Sequence, residues 1–560
     1  MPVFHATVKR SHWGRATHGE GQRKPWDTAN MAQLDQSAQR DGSKEVVAVL
    51  EAVIGRTGYG WGVRELAEEL NASRSTVNRI LSRLVEERLV SRDVSGAYII
   101  GPRLKVLSAA LQEGHPLFVE GTRILARLSR ASGATALMAV ETGNPEQCFV
   151  LASVEPDAPV RYTLPPGTNL PTHAGALGLA ILTRRGTAGL PEELKKYTEA
   201  SMDSRTRIEN ALQSYSTVGA VVSIGQHIPD AAGIGVPFTV NDRLFGSLSL
   251  SRPRNEFKES DIEAGAALLS QAARELESLT ERAGSRNKGQ VLPEAESSAL
   301  IQRITAIITA FCSEPMAELS LQDLSGLWGT RSVATRRLAE SAREVGLMTT
   351  LDNGAWTAGP TLLRWSASLG SGHDLPQLVD EDLRGLSGQT GETTTLALYD
   401  TDTEVAHIGR TIAGARNVRY VLEEGEKIPL TAGAAGKAIL AHLPEHLSAR
   451  IGKEAGVSEQ ELELIRSQGW AATDSERVPD AHGIAAPFFV NGIIRGSVTV
   501  TVPNHRVAGT PPTELTSAVV STAHRLSRLL TVKSARLPAD HEGKPGELES
   551  EPDAVFAAAQ

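Results

Sequence analysis

The chain is poor in the residues that brace small secreted domains or ligate metals: Cys148 and Cys312 are the two cysteines in 560 residues. Two thiols supply neither a disulfide framework nor a four-ligand zinc site. The simpler expectation is two isolated buried thiols, with a lone Cys148–Cys312 bridge as the formal alternative. Aromatic residues are scarce at 4%. No run of about 20 apolar residues occurs, so no helix is expected to span a bilayer. The basic N-terminal stretch has no apolar segment behind it and does not read as a secretory signal. No Walker loop, nucleotide fingerprint, metal cluster or Cys/His nucleophile pair stands at usable spacing. His407, His442 and His446 have no evident partners. These absences argue against an enzyme, and neither a cofactor nor a metal is expected.

What the chain does have is globular composition, 41% hydrophobic and 22% charged, over a length that suits roughly three to five domains. A net charge of -9 speaks against a general nucleic-acid binder, but distribution matters more than the sum. Between Ser73 and Arg92 stand Arg74, Arg79, Arg83, Arg88 and Arg92 against Glu86 and Glu87, so the basic signal is local. Residues 1–42 lack periodicity and are expected to be disordered, with Met31 a candidate true start. Residues 534–560 read as a solvated acidic tail, and 284–297 as a polar linker.

The chain also repeats itself. Val160-Arg161-Tyr162 recurs as Val418-Arg419-Tyr420, a shift of 258, which also carries Gly175 onto Gly433, Gly178 onto Gly436 and Gly101-Pro102 onto Gly359-Pro360. After one length change the shift is 250, and residues 228–241 (IPDAAGIGVPFTVN) meet 478–491 (VPDAHGIAAPFFVN). Each shared glycine or proline demands a particular backbone, so the register reflects a duplicated two-domain unit.

In the first unit, Val63, Leu66, Ala67 and Leu70 share one helical face, and Asn71-Ala72-Ser73 makes a turn with Ser73 or Ser75 as N-cap. The next helix buries Val77, Ile80, Leu81 and Leu84. Its other face offers Arg74, Ser75, Thr76, Asn78, Arg79 and Arg83, the donors and acceptors that base edges and phosphates require. Two β-patterned runs joined through Ser95-Gly96 suit a wing. A helical hairpin with a solvated basic face is the bland alternative. Residues 63–104 resemble the winged helix-turn-helix of the IclR family of bacterial regulators, through Ser75-Thr76-Val77-Asn78-Arg79-Ile80-Leu81 and the closing Tyr98-Ile99-Ile100-Gly101. Arg88 departs from the family's usual glycine. In the second copy Val77, Leu81 and Leu84 become Thr335, Ala339 and Ala342, with Trp328 refilling part of the gap. Arg336 and Arg337 remain, but residues 298–364 hold six basic and six acidic residues. Contact with DNA and a structural or dimerising role both stay open for this copy.

Behind each wing follow a connecting helix and a mixed α/β region that resembles the family's GAF-like effector domain. A small-residue loop before a helix leaves N–H groups free for an acidic or carbonyl-bearing ligand. The resemblance implies effector contacts from Tyr162, Ala176, Leu177, Ser249 and Ser251 in the first copy and from Tyr420, Ala434, Ala435, Thr499 and Thr501 in the second. The i, i+2 hydroxyls share one strand face; strand packing with incidental hydroxyls is the competing reading. Ser223 and Thr473 stand where oxo-acid sensors carry an acidic residue. His173 is kept with Leu179 in the first copy, whereas the second pairs Thr431 with Lys437, so the two pockets are expected to differ.

The expected fold is therefore α+β: two winged helix-turn-helix domains (43–102 and a degenerate 298–360) alternating with two effector domains (103–283 and 361–533). The expected function is effector-modulated binding of a double-stranded DNA operator by a homodimer of the tandem chain, in the bacterial cytoplasm, nucleoid-associated when bound to DNA and without a membrane partner. A protein–protein regulator that uses both helix-turn-helix modules for assembly is the alternative.

Overall fold

The computed structural model describes residues 42–56, 59–213, 215–240, 244–286, 299–370, 374–401, 403–507 and 512–532. The expected N-terminal extension with Met31, nearly all of the linker and the acidic tail lie outside the described residues.

The first head comprises α1 (Ser43–Gly55), α2 (Val63–Glu69), α3 (Arg74–Glu86) and the hairpin of β1 (Val90–Arg92) and β2 (Tyr98–Ile100). Ser73, rather than Ser75, caps α3 by accepting from Thr76 N at 3.1 Å. Val77, Ile80, Leu81 and Leu84 are buried beneath it. Gly96, at φ 82°, turns the wing in a conformation that costs glycine no side-chain clash.

The connecting helix α4 (Pro102–Gly114) leads to α5 (Pro116–Ser132), β3 (Thr135–Glu141), β4 (Gln147–Val154), β5 (Asn169–Pro171) and α6 (Ala176–Arg185). Then come α7 (Arg205–Gln213), α8 (Tyr215–Val218), β6 (Val221–Ile224), β7 (Ala231–Val240), β8 (Leu244–Pro253) and α9 (Ser260–Arg286). The strands form an antiparallel sheet in the order β5-β4-β3-β8-β7-β6. Helix α6 packs on β7 and β8, while α5 and α9 pack on the sheet and on each other.

The second unit repeats the plan. Its head has α10 (Leu300–Ser313), α11 (Leu321–Trp328), α12 (Ser332–Glu344), β9 (Met348–Thr350) and β10 (Trp356–Ala358). The connector α13 (Pro360–Leu369) and α14 (Leu375–Leu378) lead to α15 (Asp380–Thr390), β11 (Thr393–Asp400), β12 (Val405–Ile412), β13 (Lys427–Ile428) and α16 (Ala434–Leu440). Next are α17 (Glu445–Ala455), α18 (Glu459–Gln468), β14 (Ala471–Asp474), β15 (Ala481–Val490), β16 (Ile493–Pro503), α19 (Asn504–Val507) and α20 (Pro512–Leu530). The sheet order is β13-β12-β11-β16-β15-β14, strand for strand that of the first unit.

The heads do not stand apart. Helix α4 packs against α10 and α13, and α1 against α13, so one continuous apolar cluster runs from Val46 through Leu107 and Ile304 to Trp365. Lys44 pairs with Glu344 at 3.0 Å, and Arg364 pairs with Glu51. The connectors then cross. Helix α4 packs on α20 of the second sensor, where Arg103 Nη1 donates to the terminal carbonyls of Leu529 (2.8 Å) and Thr531 (2.7 Å). Helix α13 packs on β4 of the first sensor, and Gly167 lies so close to Ser368 that a Cβ there would stand 2.2 Å from its Oγ. Both cysteines are free and buried, and burial pushes each thiol up to about 12.

Candidate DNA-reading surface and ligand pocket

On α3, Arg74, Ser75, Asn78, Arg79 and Arg83 are exposed and Thr76 is half-buried, all opposite the apolar face. The hydroxyls at the start of the helix are tied together, Ser73 Oγ lying 3.0 Å from Ser75 Oγ and 2.9 Å from Thr76 Oγ1. Arg83 pairs with Glu86 at 2.7 Å, whereas Arg79 makes no ion pair among the described residues. In the wing, Asp93 Oδ1 accepts from the backbone N–H groups of Ser95 (2.8 Å) and Ala97 (3.0 Å). Sequence reasoning missed one cluster beside the head: the Arg56 guanidinium lies 4.0 Å from both the Tyr59 and Trp61 ring centres. The Arg-x-x-Tyr-x-Trp spacing was its only signal.

On α12, Arg336 and Arg337 are exposed. Val333, in the place of Ser75, is 84% exposed, so this helix start presents an apolar group where the first presents a hydroxyl. Thr335 turns inward and bonds the Arg331 carbonyl at 3.1 Å. Trp328 fills the core and donates Nε1 to Arg303 O at 3.0 Å.

In the first sensor, Gly178 lets α6 approach β5, since a Cβ there would stand 2.2 Å from the Pro171 carbonyl. That close approach sets the first turn of α6, with its free N–H groups, against the concave face of the sheet. A cavity of about 40 Å³ remains between them, walled by Tyr162, Ala176, Leu177, Ser223, Gln226 and Ser251 among others. Ser249 does not line it but lies one step behind, its Oγ 3.2 Å from Ser251 Oγ. Ser247 Oγ donates to Leu177 O at 2.9 Å and fixes the helix start. Gln226 Oε1 is buried with no hydrogen-bond partner among the described residues. His173 is buried, its Nε2 3.0 Å from Lys195 O, and stacks near Tyr197, which in turn meets His227 edge-on at 4.9 Å. Burial holds both imidazoles below their ordinary value; of the two, His227 lines the cavity. Burial also pushes the Tyr162 phenol up to about 12.

In the second sensor the same positions gather differently. Ala434 and Ala435 start α16 and are buried, as are Thr499 and Thr501 on β16. Tyr420 donates its hydroxyl to Pro479 O at 3.2 Å. Lys437 is buried and bonds two carboxylates. His442 packs against Phe489, with Nδ1 2.9 Å from Ala438 O.

Comparison with known proteins places this arrangement in a class. The family described as "Bacterial transcriptional regulator IclR C-terminal" matches residues 109–278 and again 368–528, and the "IclR helix-turn-helix domain" matches 46–94. "HTH-type transcriptional regulator BhcR" of Paracoccus denitrificans is 24% identical over 224 residues, 39% of this chain and 80% of its own. "Transcriptional repressor IclR" of Escherichia coli is 22% identical over 259 residues, 43% of this chain and 94% of its own. Among solved structures, an IclR transcriptional regulator from Alicyclobacillus acidocaldarius is 24% identical, with 43% of this chain and 100% of that one covered at a TM-score of 0.39. The chain belongs to the IclR family: it is a transcriptional regulator with a helix-turn-helix DNA-binding domain and two copies of the family's C-terminal domain. Among the described residues no helix is long and apolar enough to cross a membrane.

Proposed function

We propose that the first head reads an operator in double-stranded DNA and that the pocket of the first sensor takes the effector that modulates this binding. The observation that carries the reading is the outward face of α3, where Asn78 and Arg79 stand exposed over a fully buried core. Asn suits adenine and Arg suits guanine or phosphate. Arg74, Ser75, Thr76 and Arg83 extend the contact along the helix, and Arg336 and Arg337 offer a weaker, phosphate-directed one from α12. The effector is a small organic molecule with a carboxylate or carbonyl. The pocket supplies hydroxyl, amide and backbone donors without a formal charge. Its 40 Å³ holds about three waters, so an aromatic acid enters only if the wall moves. Ser251, Tyr162, Ala176 and Leu177 touch the effector, and Ser249 supports Ser251. A homodimer of the chain would present four heads to DNA, acting in the cytoplasm.

The test is Arg79→Ala on the full chain, by fluorescence anisotropy on operator DNA at fixed salt. A base contact predicts a loss of about 1–3 kcal/mol, roughly 5- to 150-fold in Kd. Unchanged affinity removes α3 as the reader. A wild-type chain without operator affinity supports assembly through the heads instead.

A further inference from the structure

The two sensors differ at positions that the repeat pairs around the start of α6 and α16. In the second, the Glu476 carboxylate reaches the start of α16: Oε2 accepts from Gly433 N at 3.0 Å and Oε1 from Lys437 Nζ at 2.7 Å. Lys437 is buried at 7% exposure and bonds Glu461 Oε1 at 2.7 Å as well. The first sensor has Gln226 where the second has Glu476, and Leu179 where it has Lys437. There the Gln226 amide oxygen is buried without a partner at the wall of an open cavity. The segment that carries Glu476 is fastened again by Arg477 to Glu426 at 2.5 Å and by the Pro479 carbonyl to Tyr420 at 3.2 Å.

The inner face of the sheet changes in the same sense. In the first sensor Leu137 stands between Ser249 and Ser153; in the second, Thr395 stands between Thr499 and Thr411. Ser251 and Ser223 likewise become Thr501 and Thr473. Ser251 and Ser223 wall the first cavity, so the methyl that each gains narrows the corresponding space in the second sensor.

We infer that the second sensor is occupied by a carboxylate of its own chain: Glu476 sits where an effector's carboxylate or carbonyl would sit, and the first sensor alone receives free effector. The assignment rests on reading the first cavity as the effector pocket. Burial opposes the Lys437 ammonium, yet the two carboxylates outweigh it and hold the amine above its ordinary value. A buried cation so paired is satisfied and has no need of a ligand anion. The second unit then acts as a fixed half of the molecule against which the first unit's ligand state is read.

The test is chemical rescue on the full chain, with acetate as probe and chloride at matched ionic strength as control. Glu476→Ala vacates a space the size of a carboxylate beside Lys437. Its melting temperature is expected to fall by several degrees, and about 100 mM acetate to recover roughly half of that loss. Wild type is expected to shift by less than about a degree under the same conditions. Glu476→Gln keeps the acceptor for Gly433 N–H and fills the space, so it melts below wild type without responding to acetate. If Glu476→Ala refolds only poorly in chloride, its refolding yield in acetate is the readout, with a clear gain expected. Acetate that stabilises wild type, or Glu476→Gln, as much as Glu476→Ala overturns the inference, and so does a Glu476→Ala that acetate does not help. None of these readouts involves DNA, and acetate taken up by the first pocket would act alike on wild type and both variants. The gain of Glu476→Ala over wild type therefore reports the second sensor alone, and failure of the operator or effector reading leaves a different trace.

Discussion

Arg88 occupies φ 57° at the end of α3, and its counterpart Gly346 occupies φ 70°. A side chain in that region is strained by about 1 kcal/mol relative to glycine, so the position suits the glycine that the second copy has there. The arginine is kept by a distant partner: its Nη2 reaches Asp382 Oδ2, 294 residues away, at 2.5 Å, and Asp382 is buried and also held by Arg525 at 3.3 Å. Removing Arg88 weakens the support of a buried carboxylate. Arg88→Ala loses the bridge and keeps the strain, whereas Arg88→Gly loses the bridge and relieves it. The alanine variant is therefore expected to unfold in urea about 1 kcal/mol sooner than the glycine variant; the opposite order would deny that strain is stored here. The departure from the family pattern was legible in the sequence. Asp382 was not, because nothing in a one-dimensional pattern links an arginine after a recognition helix to the first turn of α15.

At the scale of elements, the sequence spoke clearly where one face of a helix or strand is buried and the period is long enough to count. Helix α3 buries Val77, Ile80, Leu81 and Leu84, the positions that its period puts on one face. Short elements carry no period, so the three-residue β5, which shapes the pocket through Pro171, gave no signal. The hydroxyls of Ser249 and Ser251 were legible as an alternating pair; that Ser251 faces the cavity while Ser249 stands behind depends on the curl of the sheet. The junction of α4 and α5 makes its own prediction. His115 is buried between them and accepts from Leu117 N at 3.2 Å through Nδ1. Burial lowers its pKa from 6.5 to about 4. Between those values the unfolded chain holds the proton and the folded chain does not. This contribution to stability is therefore complete above pH 6.5 and is lost as pH falls toward 4, at on the order of 1 kcal/mol per pH unit. His115→Asn can still cap α5 without titrating, so its urea midpoint is expected to vary less with pH over that window. Parallel curves for variant and wild type would remove His115 from the acid response.

At the scale of the whole molecule, the duplication was plain from the repeated glycines and prolines, but the joining of the two units was not. Leu107 and Leu111 look like the inner face of any connecting helix; only the fold shows α4 lying between α10 and α13. The crossed connectors give the assembly its logic. Each head is followed by a helix that packs on the other unit's sensor, α4 on α20 and α13 on β4 with the turn at Gly167 beside it. Arg103 supplies the reciprocal tie, its half-buried guanidinium capping the carbonyl end of α20, where a cation is favoured. Arg103→Ala is expected to speed hydrogen exchange in the last turn of α20 while leaving the first sensor's sheet unchanged. Because the two heads are paired within one chain, dilution cannot separate them, and this pairing does not depend on protein concentration. A further association, of chain with chain, remains a matter of mass action. Light scattering at micromolar concentration is expected to give the mass of two chains of 59.6 kDa each, falling to one on dilution while the paired heads persist. A one-chain mass at every concentration would overturn the homodimer, yet the intrachain pair would stand, since the cluster from Val46 to Trp365 closes without a second copy.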